Sequence, residues 1–256
     1  MTDRLLAALM FFTRLPFWRI KQVDAACFKH VVDYWPFAGW LTGGTMALVY
    51  WLAAGWFPGS VAALLAVGTR ILLTGALHED GLADCCDGFG GGTSRDRILS
   101  IMKDSRIGTY GVLGLIFYIA LAVNLLDALP CAPAAILAAD VYAKSCASFL
   151  ICQLPYGRTA EGAKSGVVYA AWDARALARH AGRCLLAVAP TALLLGYAAG
   201  PHLFWAYLVP PVVEILLAVF LRHRIGCYTG DCCGAAFLLC ELGFYLAAVA
   251  LTFYVY

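Results

Sequence analysis

Long apolar windows separated by short polar connections dominate the chain. Windows of about 20 residues without charge can cross roughly 30 Å of hydrocarbon. They recur near 36–56, 59–77, 109–129, 132–153, 184–200, 203–221 and 233–254. Phe57-Pro58 and Gly200-Pro201 mark tight links, each either separating two spans or breaking one, and Pro130 and Pro133 punctuate the turn between the third and fourth spans. Ahead of the first window, Leu5, Leu6, Leu9, Phe12 and Phe17 with Arg4, Arg14 and Arg19 look like a helix lying in the membrane interface. Arg14 and Pro16 interrupt the apolar core that a secretory leader would need. The pattern predicts an all-α fold: a polytopic membrane helix bundle of about seven transmembrane helices, an N-terminal interfacial helix and short cytoplasmic helices, forming one domain over 1–256.

Composition excludes a water-soluble globule. Hydrophobic residues make up 62% of the chain and charged residues 13%, about half the charged share of a typical soluble domain, which is ~25%. The charges are also sorted. Sixteen of the eighteen basic residues fall in the N-terminal segment and in alternate connections, and the opposite connections hold none. The positive-inside rule then puts the N-terminus and those connections in the cytoplasm and the C-terminus outside. The remaining two, Arg70 and Lys144, lie within spans. Lys144 is one turn from Asp140 and suited to pair with it, because a lone intramembrane charge is expensive. A net charge of +2 gives no reason to expect nucleic acid. The eleven cysteines form neither a secreted disulfide framework nor a zinc knuckle.

The acidic residues carry the chemistry. The run His78-Glu79-Asp80-Gly81-Leu82-Ala83-Asp84-Cys85-Cys86-Asp87 starts where the second window ends. If the second helix continues to Asp87, then Asp80, Asp84 and Asp87 stack on one face over two turns. Like charges at that spacing repel, and acid at a helix C-terminus opposes the helix dipole, so the arrangement calls for a cation. Mg²⁺ is the natural occupant, since it takes oxygen ligands and combines one or two carboxylates with substrate phosphates. Gly88, Gly90, Gly91 and Gly92 read as a break, after which Thr93 or Ser94 caps a short helix from Arg95 to about Ser105. Asp104 is a candidate further ligand, and Lys103 and Arg106 beside it are candidate phosphate clamps. Tyr156 to Gly166, with Arg158, is a glycine-spaced polar loop suited to an anion. Thr229-Gly230-Asp231 puts a carboxylate at the start of the last span, either as an N-cap or as a contact to metal or substrate.

These residues resemble the signatures of the cobalamin synthase (adenosylcobinamide-GDP ribazoletransferase) family. The similarity lies in the block His78 to Gly88 and in Met102-Lys103-Asp104-Ser105-Arg106-Ile107-Gly108-Thr109-Tyr110-Gly111. Phe12-Thr13-Arg14-Leu15-Pro16 and Tyr228 to Ala235 are similar to two further segments of that family, so the resemblance runs the length of the chain. The cysteine pairs at 85–86 and 232–233 depart from it. The resemblance implies that α-ribazole, or its 5′-phosphate, attacks the cobinamide-linked phosphorus of adenosylcobinamide-GDP and displaces GMP. It implies Mg²⁺ as cofactor and the bacterial cytoplasmic (inner) membrane as the place, with the active site on the cytoplasmic side. On this reading Glu79, Asp80, Asp84, Asp87 and Asp104 hold the metal. His78 or one of the carboxylates takes the proton from the ribazole hydroxyl, and Lys103, Arg106, Arg158 and Asp231 bind substrate.

Three other readings compete. A CDP-alcohol phosphotransferase would carry an Ala-Arg and wider aspartate spacing, and a prenyltransferase a second strong aspartate-rich motif. A cation transporter would set its carboxylates near the midplane in broken helices, whereas these lie at the membrane edge. Gly39 and Gly43 would admit close helix packing, within the chain or in a homo-oligomer.

Overall fold

The computed structural model describes residues 2–157, 169–170 and 172–255, with side chains up to 253. It comprises α1 (Thr2–Phe12), α2 (Trp35–Ala54), α3 (Gly59–Thr74), α4 (Leu77–Gly91), α5 (Arg95–Lys103), α6 (Thr109–Asp127), α7 (Ala132–Ser148), α8 (Leu150–Gln153), α9 (Ala174–Ala199), α10 (Val209–Arg224) and α11 (Gly230–Val255). The 3₁₀ segments Ala25–Tyr34 and Pro201–Leu208 lead into α2 and α10. Among the described residues the only bridge between extended segments joins Tyr156 to Tyr228. Six helical stretches among the described residues are long and apolar enough to cross a membrane, or seven if the pair α3–α4, bent by 93°, counts as one span. Trp51, Trp56, Leu72, Phe117, Leu185, Tyr197 and Leu216 are exposed, as befits side chains facing lipid. The chain is a multi-pass membrane protein.

Three boundaries differ from the sequence pattern. The second helix does not run on to Asp87: it ends at Thr74, and the acidic block belongs to α4. The glycines at 88, 90 and 91 do not break α4, which continues to Gly91 before the chain turns extended at Gly92. The fifth span begins at Ala174 rather than 184, because the Asp173 carboxylate caps it by accepting from Ala176 N at 2.6 Å.

Backbone hydrogen bonds join the basic connections to one another. Lys29 O accepts from Ala170 N at 2.9 Å, and Tyr228 O from Gly157 N at 2.8 Å. Arg95 Nε donates to Ile225 O at 2.9 Å and Arg224 Nη2 to Gly92 O at 3.2 Å. Connections that the charge pattern put on one side of the membrane therefore meet as one end of the bundle.

The centre of the bundle is ionic. Arg70 on α3, fully buried, bonds Glu241 on α11 and Tyr118 on α6, and Tyr118 donates to Glu241 at 2.8 Å. Asp140 lies 3.6 Å from the Arg70 guanidinium and pairs with Lys144, as the one-turn spacing implied. Thr42 on α2 donates to Asp140 at 2.9 Å. A Cβ at Gly43 would stand 2.7 Å from the Cβ of Asp140, and one at Gly39 would stand 2.9 Å from the Cα of Val141. These glycines thus serve α2–α7 packing inside the chain and carry no argument for an oligomer. Arg70 and Lys144 are matched by Glu241 and Asp140, which makes the burial of these four ions tolerable.

Candidate active site

The site begins at an elbow. Gly75 (φ 66°) and Ala76 (φ 58°) both adopt left-handed conformations and turn the chain between α3 and α4. Arg14 N donates to Leu73 O at 2.8 Å, and the Arg14 side chain lies over Gly75. Because α4 starts at Leu77, Glu79 and Asp80 occupy its first turn, where the helix dipole favours acid. The expected clash between the acids and a helix C-terminus is replaced by its opposite.

Beyond the elbow, α4 crosses α11 at backbone contact. A Cβ on Gly234 would lie 3.2 Å from the Cα and the carbonyl oxygen of His78, and one on Gly81 would lie 2.8 Å from the Asp231 carbonyl oxygen. Cys85 and Cys232 are buried at the same crossing, so these cysteines that depart from the family pattern act as small packing residues. Thr229 caps α11 by accepting from Cys232 N at 3.4 Å and donates to Asp231 Oδ2 at 3.2 Å. With the cap supplied by Thr229, Asp231 points instead into a cavity of about 200 Å³. Phe11, Phe12, Val32, Trp35, Leu77, His78, Asp80, Tyr156, Tyr169, Gly230, Cys233 and Gly234 complete its lining. Asp80 and Asp231, far apart in the chain, are thereby brought to one space. Asp84 follows Asp80 by one turn on the same face and is half-buried.

The five acids expected around one metal do not gather. Glu79 is buried on the inward side of α4, 3.7 Å from Arg70, because one residue of helix turns it about 100° away from Asp80. Asp87 accepts from Gly108 N at 2.6 Å and Gly111 N at 2.8 Å, capping the start of α6 from a neighbouring helix. Asp104 is bound in a fork to Arg106, at 2.7 Å for the closest pair, and this guanidinium holds its exposed carboxyl down at about 2. Lys103 is exposed at the end of α5. Arg158 lies outside the described residues.

His78 is not arranged as a solvent-facing base. Its ring, 1% exposed, stacks with Trp35 at 5.7 Å and Phe12 at 6.3 Å and meets the edge of Phe237 at 4.7 Å. Neither ring nitrogen has a hydrogen-bond partner.

Among the described residues no three His, Cys, Asp or Glu side chains converge as a ready metal site. Asp80 and Asp231, which line one cavity, and Asp84, one turn along α4 from Asp80, are all carboxylates. Such a set suits a hard cation that completes its shell with water and phosphate oxygens. Sequence reasoning missed the aromatic walls and Arg14. Phe12 and Arg14 read as part of an interfacial helix and of a segment similar to the family's, while Trp35 stands just ahead of the first window with nothing to single it out.

A family model described as cobalamin-5-phosphate synthase matches residues 4–249. The chain is 40% identical over 252 residues to a Leptothrix cholodnii protein named adenosylcobinamide-GDP ribazoletransferase, an alignment covering 95% of this chain and 93% of that one. Proteins of the same name from Shewanella sp. (strain W3-18-1) and Shewanella oneidensis are 37% identical over 251 residues and 36% over 247. These alignments cover 95% and 94% of this chain, and 92% and 91% of those proteins. No solved structure matches.

Proposed function

We propose, since the chain belongs to the cobalamin-5-phosphate synthase family and is an adenosylcobinamide-GDP ribazoletransferase of cobalamin nucleotide-loop assembly, that Asp80, Asp84 and Asp231 form its reacting centre. The observation that carries this reading is the one cavity lined by both Asp80 of α4 and Asp231 of α11. Mg²⁺ is the cofactor, and Asp80 and Asp84 would hold it together with substrate phosphate oxygens. When bound it supplies charge neutralisation on the bridging and leaving oxygens.

The chain's own groups bind and orient. Lys103, Arg106, Arg158 and Arg14 bind the diphosphate of adenosylcobinamide-GDP, with Arg106 exchanging the Asp104 carboxylate for a phosphate oxygen. A hydroxyl of α-ribazole, or of its 5′-phosphate, is held in line with the cobinamide-bearing phosphorus. The ribazole oxygen–phosphorus bond forms as the bond from that phosphorus to the bridging oxygen breaks. GMP departs with the bridging oxygen, and adenosylcobalamin or its 5′-phosphate remains. Asp231, facing Asp80 from the other helix, takes the hydroxyl proton.

This end of the bundle faces the cytoplasm of a bacterial inner membrane. The support is the positive-inside rule, since the basic residues other than Arg70 and Lys144 lie in the N-terminal segment, the alternate connections and the helix ends beside them.

The test is to incubate detergent-solubilised protein with adenosylcobinamide-GDP, α-ribazole and Mg²⁺, and to follow GMP and corrinoid product by chromatography. Product that requires both substrates and disappears with EDTA supports the reading. A folded, metal-loaded protein that yields no GMP overturns it.

A further inference from the structure

The cavity beside Asp80 and Asp231 has a wall whose chemistry the transfer reaction does not use. Phe12 and Trp35 stack almost parallel, with centroids 5.0 Å apart and planes at 9°, and the His78 ring lies at 18° to Trp35. Phe11 and Tyr169 meet edge-on at 6.3 Å on another side. Within this wall, Trp35 Nε1 and both nitrogens of His78 are buried and have no hydrogen-bond partner. Trp35 and His78 are each 1% exposed. Buried polar groups in folded proteins nearly always find a partner, and orphaned ones call for an explanation. An indole N–H is a donor only, and a neutral imidazole offers one donor and one acceptor.

These properties select a ligand. The flat apolar faces suit an aromatic ring, and the two unmatched ring N–H donors suit a ring that accepts hydrogen bonds and presents little else. Guanine, with several donors and acceptors along one edge, would strand most of them against Phe11, Phe12 and Val32. A benzimidazole nucleoside has a bicyclic apolar body and a single unsubstituted ring nitrogen, which is an acceptor. At about 200 Å³ the cavity is smaller than a typical ligand pocket of ~300–1,000 Å³. It has room for one bicyclic base and none for a corrin macrocycle.

We propose that this cavity seats the benzimidazole base of the ribazole substrate, with Trp35 donating to its ring nitrogen, His78 hydrogen-bonding a ribose hydroxyl, and that sugar directed to Asp80 and Asp231. The inference rests on the transferase reading and adds which substrate fills which space. It also gives His78 a recognition role and leaves the proton to a carboxylate. A site built around such a bond rejects an analogue that lacks the acceptor, because its donors are then left unpaired.

The experiment compares α-ribazole with the matching indole nucleoside, in which carbon replaces the unsubstituted nitrogen, using the full chain in detergent with Mg²⁺. KM is measured for each nucleoside and for adenosylcobinamide-GDP, and nucleoside binding is measured separately by calorimetry. In the wild type the indole nucleoside should bind about tenfold more weakly or worse. Trp35→Phe and His78→Leu should each weaken α-ribazole about tenfold, and Trp35→Phe should also shrink the preference over indole, while KM for adenosylcobinamide-GDP changes less than twofold. Trp35→Phe keeps an aromatic plane, and the preference ratio is read on folded protein, so partial loss of stability does not imitate the result. An unchanged preference in Trp35→Phe, or a shift confined to adenosylcobinamide-GDP, overturns the assignment. A wild type that binds α-ribazole yet releases no GMP counts against the transferase reading instead, and the calorimetry still decides the seat.

Discussion

Gly81 of α4 stands so close to Asp231 of α11 that a Cβ there would lie 2.8 Å from the Asp231 carbonyl oxygen and 3.0 Å from its Cα. Small residues let membrane helices touch backbone to backbone, and this contact sets the separation of the carboxylates on the two helices. Gly81→Ala should push α4 off α11 and lower kcat by on the order of 10- to 100-fold, the scale of a 1 Å misplacement. Gly182→Ala in α9 is the control, since nothing lies within 4 Å of its Cβ position. Equal activity of the two variants would remove the crossing from the argument.

The acids of α4 should separate by role. Asp80→Asn and Asp84→Asn should each reduce GMP release about a hundredfold or more, equivalent to about 2.7 kcal/mol, with the melting temperature nearly unchanged. Asp87→Ala should instead act through its lost cap on α6, lowering stability by about 1–2 kcal/mol. Thermal unfolding in detergent together with the GMP assay distinguishes the two patterns. A stable, inactive Asp87→Ala would return that residue to the reacting centre.

Arg70 should be the most sensitive ion in the core. Replacing it with Met leaves Glu241 and Asp140 without their shared partner, and breaking a buried pair from one side costs about 3–5 kcal/mol. The double variant Arg70→Met, Glu241→Met should recover part of that loss. A double variant as unstable as the sum of the two single variants would show that the pair is not coupled.

The Asp104–Arg106 pair predicts a pH window. The Arg106 guanidinium lowers the Asp104 carboxyl from 3.8 to about 2 in the folded chain. The contribution of the pair is therefore fully present above about 3.8 and is lost as pH falls through about 2. Carboxyl titration followed by NMR should find Asp104 ionised at pH 3 in the wild type and mostly protonated there in Arg106→Ala. The same variant should raise KM for adenosylcobinamide-GDP. Both groups are solvent-exposed, so high salt should weaken the pair.

Hydrophobic windows made the spans legible, because a stretch of about 20 apolar residues is a local property that water will not tolerate exposed. The basic connections were legible for a similar reason, and the structure gathers them at one end. The break at Gly75-Ala76 was not legible. Its left-handed residues interrupt an apolar run that gives no polar warning, and missing it reversed the sense of the helix dipole around Glu79 and Asp80.

The sequence alone determined that an acidic block follows an apolar window with basic residues beyond it, and that Asp80, Asp84 and Asp87 share a helix face. Helical periodicity dictates that much around a single axis. Only the tertiary structure decided which of those acids share a space. Asp87 turned to cap α6, Glu79 joined Arg70 in the core, and Asp80 met Asp231 and a wall built from Phe12, Trp35 and His78. Those relationships depend on how close two helix axes can come. Gly81 and Gly234 determine that distance, and they lie about 150 residues apart in the chain, where no local pattern connects them.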